Sequence, residues 1–209
     1  MRLLYHALTD DLFAELRLRR KLRGAPAGEL VSLRESSFAR IAGTVRPLEN
    51  RLLTAPLSGR RCVYYAVHAT VVRGSESHAQ GRGIGGYQDA IPFVLDDSTA
   101  QAVIDPDHAD ISVPFDYPST SQGASYADLE QRRILERERL LHRDWFNTKS
   151  LRYRECVIEV DHEIVVFGAG MLEPDPEASP PGMYRQGQPL RLRFAGSAKY
   201  PLVIRAPRK

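Results

Sequence analysis

The chain has 209 residues, a formal net charge of +3 at pH 7, 43% hydrophobic and 26% charged residues, which fits one globular domain with appendages and a core of useful size. Two cysteines, Cys62 and Cys156, exclude both a disulfide framework and a four-cysteine zinc site. No apolar run approaches the roughly 18 residues of a membrane span, so the expectation is a cytoplasmic protein, peripheral to a membrane where it meets one.

The charge is unevenly placed. Residues 1–23 carry six basic and three acidic side chains, leaving 23 of each sign in the remainder. A neutral body is not the footprint of a dedicated nucleic-acid binder. Within 1–23, Thr9 is a good N-cap with Asp10 and Asp11 behind it, and Leu12, Phe13, Leu16 and Leu22 recur at helical spacing. The acidic pair breaks the first apolar run too early for a signal peptide, and no small-residue cleavage site follows. Gly24-Ala25-Pro26 ends this helix. Its last turn crowds Arg17, Arg19, Arg20, Lys21 and Arg23 together. These cations either complement the helix dipole in solvent or lie against anionic lipid, where each contributes about 1 kcal/mol.

Residues 1–37 thus read as a basic amphipathic helix and linker, and 38–209 as a single β-rich domain. Strands are predicted over 38–45, 62–72, 91–95, 102–104, 153–160, 163–169, 190–194 and 201–204. Gly43 marks a bulge or a close backbone approach. Residues 96–99 and the pair Asp161-His162 read as hairpin turns. About eight short strands with turn signals between them point to a mainly β fold, a small barrel or sandwich. One α-helix is inserted over 126–143, with Ser125 as N-cap, a stripe of Leu129, Ile134, Leu141 and Trp145, and exposed pairs Glu130–Arg133 and Arg132–Glu136. Residues 74–89, 114–125 and 173–188 are rich in Gly, Ser and Pro and read as mobile loops.

The stretch 51–68, RLLTAPLSGRRCVYYAVH, gathers reactive residue types, and the spacing C-x5-H recurs as Cys62…His68 and Cys156…His162. Positions six apart on a strand are roughly 20 Å apart, whereas a thiolate and its imidazole base meet at about 3 Å. Neither pair can therefore work within its own strand. Antiparallel pairing of the two strands could set Cys62 opposite His162 and His68 opposite Cys156, two ligands each and too few for zinc. Cys62 reads better as a small buried hydrophobe. Alternation places Cys62, Tyr64 and Ala66 on one face and Val63, Tyr65 and Val67 on the other, both apolar, as in a closed barrel wall.

Gly81-Arg82-Gly83-Ile84-Gly85-Gly86 lacks the spacing and the following helix of a dinucleotide fingerprint. Asp105-Pro106-Asp107-His108-Ala109-Asp110 lacks EF-hand spacing and reads as a turn. No G-x-S-x-G, HExxH or P-loop is present. The expectation is a non-enzymatic protein with no catalytic residue, no cofactor and no metal. Arg60, Arg61, Tyr64 and Tyr65 remain as a ligand surface, the charged and stacking kind that an oligonucleotide-binding barrel would use.

Residues 39–172 resemble the GIDE domain, also called the BAM (beside-a-membrane) domain, found between membrane helices in a mitochondrial RING ubiquitin ligase and in prokaryotic relatives. The resemblance rests on four elements in order: Gly43-Thr44-Val45; Ala55-Pro56-Leu57-Ser58-Gly59-Arg60-Arg61-Cys62-Val63-Tyr64-Tyr65; Pro92-Phe93-Val94-Leu95-Asp96-Asp97-Ser98-Thr99-Ala100; and Tyr153 with Glu155 through Val166-Phe167-Gly168. Ala100 and His162 stand where the pattern usually has glycine. The resemblance implies a β-rich, OB-like module beside a membrane, contacting anionic lipid, membrane proteins or another protein partner without doing chemistry. Two cysteines cannot supply a RING, so ligase activity does not carry over, although an accessory place in a ligase-like system does. Nucleic acid is the disfavoured partner.

Overall fold

Short apolar-alternating segments separated by turn residues dominate the chain, and they fold as strands. A computed structural model describes residues 24–73, 80–122, 127–137, 150–176, 189–197 and 202–207. The predicted N-terminal helix with Arg17, Arg19, Arg20, Lys21 and Arg23 lies outside the described residues, as do Ser125, Leu141 and Trp145. Twelve strands are described: β1 (Phe38–Pro47), β2 (Leu53–Thr54), β3 (Arg61–Arg73), β4 (Gln80–Ala90), β5 (Phe93–Asp96), β6 (Gln101–Asp105), β7 (Asp110–Ser112), β8 (Tyr117–Gln122), β9 (Ser150–Glu159), β10 (Glu163–Pro174), β11 (Leu190–Ala195) and β12 (Val203–Arg205). One α-helix, α1 (Leu129–Arg137), and a single 3-10 turn at Leu30–Ser32 complete the described elements. The fold is mainly β, as the sequence predicts.

The chain forms two compact units where the sequence reads as one β-rich body. One comprises 1–43, 95–111 and 163–209, the other 44–94 and 112–162. The first contains a closed barrel. Its sheet runs β1-β5-β6-β11-β10, and β10 pairs back with β1, while β12 and β7 extend the sheet beyond β10. Numbered by appearance, the five barrel strands follow the order 1-2-3-5-4 and return to 1, and the third and fifth, β6 and β11, are parallel. This is a Greek-key closure of the OB type. Ile41, Leu95, Ile104, Ile164, Val166 and Phe194 are buried in this unit. Gly43 sits at a close backbone approach: a Cβ there would lie 2.7 Å from the Asp96 carbonyl oxygen. The predicted turn between β5 and β6 forms around Asp97, whose carboxylate accepts the Thr99 and Ala100 amides and, from a distant segment, the Leu30 amide at 2.6 Å. Burial works against that charge, yet these hydrogen bonds hold the Asp97 carboxyl below its ordinary range.

The second unit is spliced into the barrel's connectivity twice, after its first strand and after its third. It is an antiparallel sheet, β2-β3-β9-β8, with β4 also on β3, and among the described residues no pairing closes it. The long tyrosine-rich strand is therefore the centre of an open sheet, and not part of a closed barrel wall. Its inner face, Val67, Ala69 and Val71 with Leu151 and Tyr153 of β9, packs on Ile134 and Leu135 of α1.

Four further expectations are corrected. Residues 80–90 are not a mobile loop but a strand along β3, from Tyr64 opposite Ala90 to Arg73 opposite Gln80. Residues 117–122 pair with β9 in the same way. Backbone hydrogen bonding to a long apolar neighbour overrides their poor strand composition. Next, β9 and β10 do not form a hairpin across Asp161-His162: they belong to different sheets. The turn is spent on β1 instead, with the Asp161 amide donating to the Val45 carbonyl and the Val45 amide to the His162 carbonyl, both at 2.9 Å. Lastly, α1 begins at Leu129 behind Asp128, which exchanges hydrogen bonds with Gln131 in a reciprocal capping box. Leu129, placed on the buried stripe, is 67% exposed. The Glu130–Arg133 pair forms, whereas Arg132 and Glu136 form none among the described residues.

Candidate functional site

The corner that opens β3 is built as its residues suggest. The Gly59 amide donates to the Ala55 carbonyl and the Ala55 amide to the Arg60 carbonyl, both at 2.9 Å. Gly59 takes φ +71°, the left-handed conformation that glycine adopts without cost. The corner closes over Glu155 of β9, a fully buried carboxylate. Glu155 accepts the amides of Leu57 (2.7 Å) and Ser58 (3.2 Å) and the Ser58 hydroxyl. Two sequence elements almost a hundred residues apart are thus one packing unit.

Arg60 fans out beside this carboxylate. Its guanidinium makes a bidentate pair with Asp116, 2.7 Å on each arm, and reaches Glu159 at 3.4 Å and Glu155 at 3.9 Å. The Arg60 hydrogen bonds hold Asp116 below the usual carboxylate range. His162 completes the cluster: its Nδ1 accepts the Glu159 amide at 3.2 Å, and its Nε2 lies 3.4 Å from the Glu159 carboxylate. One arginine and three carboxylates form a strut, anchored to the backbone of the corner through Glu155.

The cysteine–histidine readings end here. β3 and β9 are antiparallel, but out of the register required, by two residues at His68 and by three at Cys62: Cys156 lies opposite Ala66, His68 opposite Arg154, and Cys62 opposite Glu159. Both cysteines are buried, and burial pushes each thiol up to about 11. No group of three or more His, Cys, Asp or Glu side chains among the described residues is placed to hold a metal. Asp105 and Asp110 flank a turn and pair with Arg193 and Arg205.

The proposed ligand surface of Arg60, Arg61, Tyr64 and Tyr65 does not assemble. Arg60 is tied into the strut, while Arg61 is exposed. Tyr64 is buried and its hydroxyl lies 3.0 Å from Gln88 Oε1, whereas Tyr65 turns to the other face and meets the Tyr87 ring edge-on at 6.0 Å. Consecutive strand residues point oppositely, so the two rings cannot form one stacking platform. A register shift between Cys62 and Tyr64 also moves Cys62 from the face predicted for it into the cluster of Ala55, Val157 and Tyr65.

The surface that sequence reasoning missed lies on the other side of β3. An open groove of about 430 Å³ is bounded by His68, Gly85, Gly86, Tyr87, Gln88 and Phe115. Phe115 is 47% exposed, and its ring lies 6.4 Å from that of His68. The available signal was a histidine on a central strand opposite a run of glycines, which is unreadable without the register. No family model, no curated protein and no solved structure matches this chain.

Proposed function

We propose that the chain is a binding module that works beside a membrane surface, as its resemblance to the GIDE/BAM domain implies, and that it does no chemistry of its own. The commitment of the motif residues to packing supports this reading. Glu155 is spent holding the corner, Arg60 on its carboxylates, and both thiols are buried with their protons held. Among the described residues no helix is long and apolar enough to cross a membrane. The cations of 17–23 are the first candidates for contact with its surface.

Co-sedimentation of the intact chain with anionic and neutral liposomes tests this, alongside a variant in which Arg17, Arg19, Arg20, Lys21 and Arg23 are replaced by glutamine. Binding to anionic vesicles that falls with salt and with the replacement is expected. No sedimentation with either vesicle at low salt would sink the membrane reading.

The OB-type closure favours a second reading, an oligonucleotide-binding barrel. A fold does not carry a function by itself, and the tyrosines do not converge. Fluorescence anisotropy with a labelled single-stranded oligonucleotide separates the two readings.

A further inference from the structure

The outer face of the five-stranded sheet carries two arginines that no carboxylate neutralises among the described residues. One cross-strand row holds Pro118 of β8, Arg154 of β9, His68 of β3 and Gly86 of β4; the next holds Thr120, Arg152, Thr70 and Gly83. Directly opposed residues in antiparallel strands present their side chains on the same face about 5 Å apart, so Arg152, Arg154 and His68 share one patch. No carboxylate occurs in either row. Among the described residues neither Arg152 nor Arg154 makes an ion pair, whereas Arg60, Arg191, Arg193 and Arg205 all do. Asp116, just before β8, is held by both arms of Arg60. Arg61 and Arg132 are also without an ion pair among the described residues, but Arg152 and Arg154 are two such arginines side by side on one sheet face.

Its surroundings are shaped. The His68 imidazole lies against Gly83, where an added Cβ would come within 3.2 Å of its Nε2. Glycine at Gly85 and Gly86 keeps the β4 side of the groove low, and the exposed Phe115 ring stands at its edge. An anion over Arg152 and Arg154 would have an apolar ring and a shallow cleft beside it. That combination suits the boundary between a charged headgroup and its glycerol and acyl carbons, where aromatic rings sit, and arginine's planar fork matches a phosphate.

We propose that the row of Arg152, Arg154 and His68 beside Phe115 is a headgroup site for an anionic phospholipid. The proposal rests on the membrane-side reading above, but names a different surface from residues 17–23. The occupant is the lipid phosphate, with the first carbons of the lipid lying in the groove along Phe115.

The probe is dihexanoyl phosphatidic acid below its micelle concentration, added to the intact chain and followed through the imidazole NMR signals of His68, assigned by their loss in His68→Gln. A saturable shift is expected, weakened about thirty-fold in Arg152→Ala/Arg154→Ala, since each arginine at a headgroup contributes about fivefold. Arg154→Gln alone serves as the milder variant, expected to weaken binding about fivefold. Phe115→Ala should weaken the lipid but not inorganic phosphate. No shift, an unchanged affinity in the double variant, or inorganic phosphate binding as tightly as the lipid would each overturn the proposal. Tighter binding of a single-stranded oligonucleotide at the same signals would reassign the patch and overturn it too. Glutamine at 17, 19, 20, 21 and 23 should leave the His68 shift intact, so a failure of the N-terminal membrane reading and a failure of this site are read separately.

Discussion

Glu155 and Arg154 are neighbours on β9 and point to opposite faces of the same sheet. Glu155 is wholly enclosed and receives two amides and a hydroxyl. Arg154 is exposed, and its guanidinium donates to no group among the described residues. Burying a carboxylate is costly unless donors replace its water, so the corner around Glu155 must be complete for the sheet to be stable. An exposed guanidinium keeps its water and costs the fold almost nothing. Glu155 is constrained by stability, whereas Arg154 stands on a stretch of the other face that stability leaves unconstrained.

Glu155→Ala should therefore be the most damaging single change. It strands the Leu57 and Ser58 amides and leaves Arg60 with fewer charges to face, and breaking a buried charged network costs about 3–5 kcal/mol. Ser58→Ala removes one donor and should cost about 1 kcal/mol. Urea denaturation of both reads the difference. If Glu155→Ala melts like the wild type, the strut account fails.

The glycines of β4 give a second, smaller contrast. At Gly86 an added Cβ would stand 2.4 Å from the Val67 carbonyl oxygen, which is backbone and cannot swing away. At Gly83 the neighbour is the His68 imidazole at 3.2 Å, a side chain that can rotate. Gly86→Ala should cost about 1–3 kcal/mol, and Gly83→Ala well under half of that. Equal losses in thermal denaturation would mean that His68 is held as rigidly as the backbone.

What the sequence disclosed follows the range of each interaction. Strands β1, β3, β5, β6, β9, β10, β11 and β12 were legible because alternation and turn residues are local signals. The turn at 96–99 was legible because Asp97 closes it within three residues. β4 and β8 were not, since their strand character comes from a partner far along the chain. The double splice of one unit into the other was invisible too: the junctions at 43/44 and 94/95 fall inside segments that read as strand, and those at 111/112 and 162/163 lie beside segments that read as ordinary turns or loops. Asp161-His162 carries every local sign of a hairpin, yet its amide and carbonyl go to Val45. At the site, the corner of Pro56 and Gly59 was legible and the carboxylate it encloses was not. Tyr153 and Glu155 stand together in the family pattern, but nothing local says that the corner 97 residues earlier supplies the donors that let Glu155 be buried.

Acid sharpens the comparison further. Arg60 holds Asp116 below its ordinary carboxylate range. A depressed folded-state value means the pair's contribution is present above the unfolded value, near pH 4, and is lost as pH falls through the lower folded value. Arg60→Ala should therefore be less stable than wild type at neutral pH, by about 1 kcal/mol or less for a half-exposed pair. The two stability curves should converge below about pH 3. Asp97 also titrates low, through hydrogen bonds independent of Arg60, so it contributes equally to both proteins and cancels. A constant gap down to low pH would mean that Arg60 acts by packing alone.

Arg154→Ala is the smallest expected effect and the most informative beside Glu155→Ala. Without an ion pair, a hydrogen bond or a buried stem to lose, its removal should change stability by no more than about 0.5 kcal/mol. It also removes one of two unneutralised arginines from a sheet face, which can only relieve repulsion, so a slight gain at low salt is the expected direction. A loss of 2 kcal/mol or more would show that Arg154 supports the sheet, and the contrast between its two faces would collapse. A neutral or stabilising result, in a position one residue from the most damaging one, is the pattern of a side chain kept for binding at a small cost to the fold.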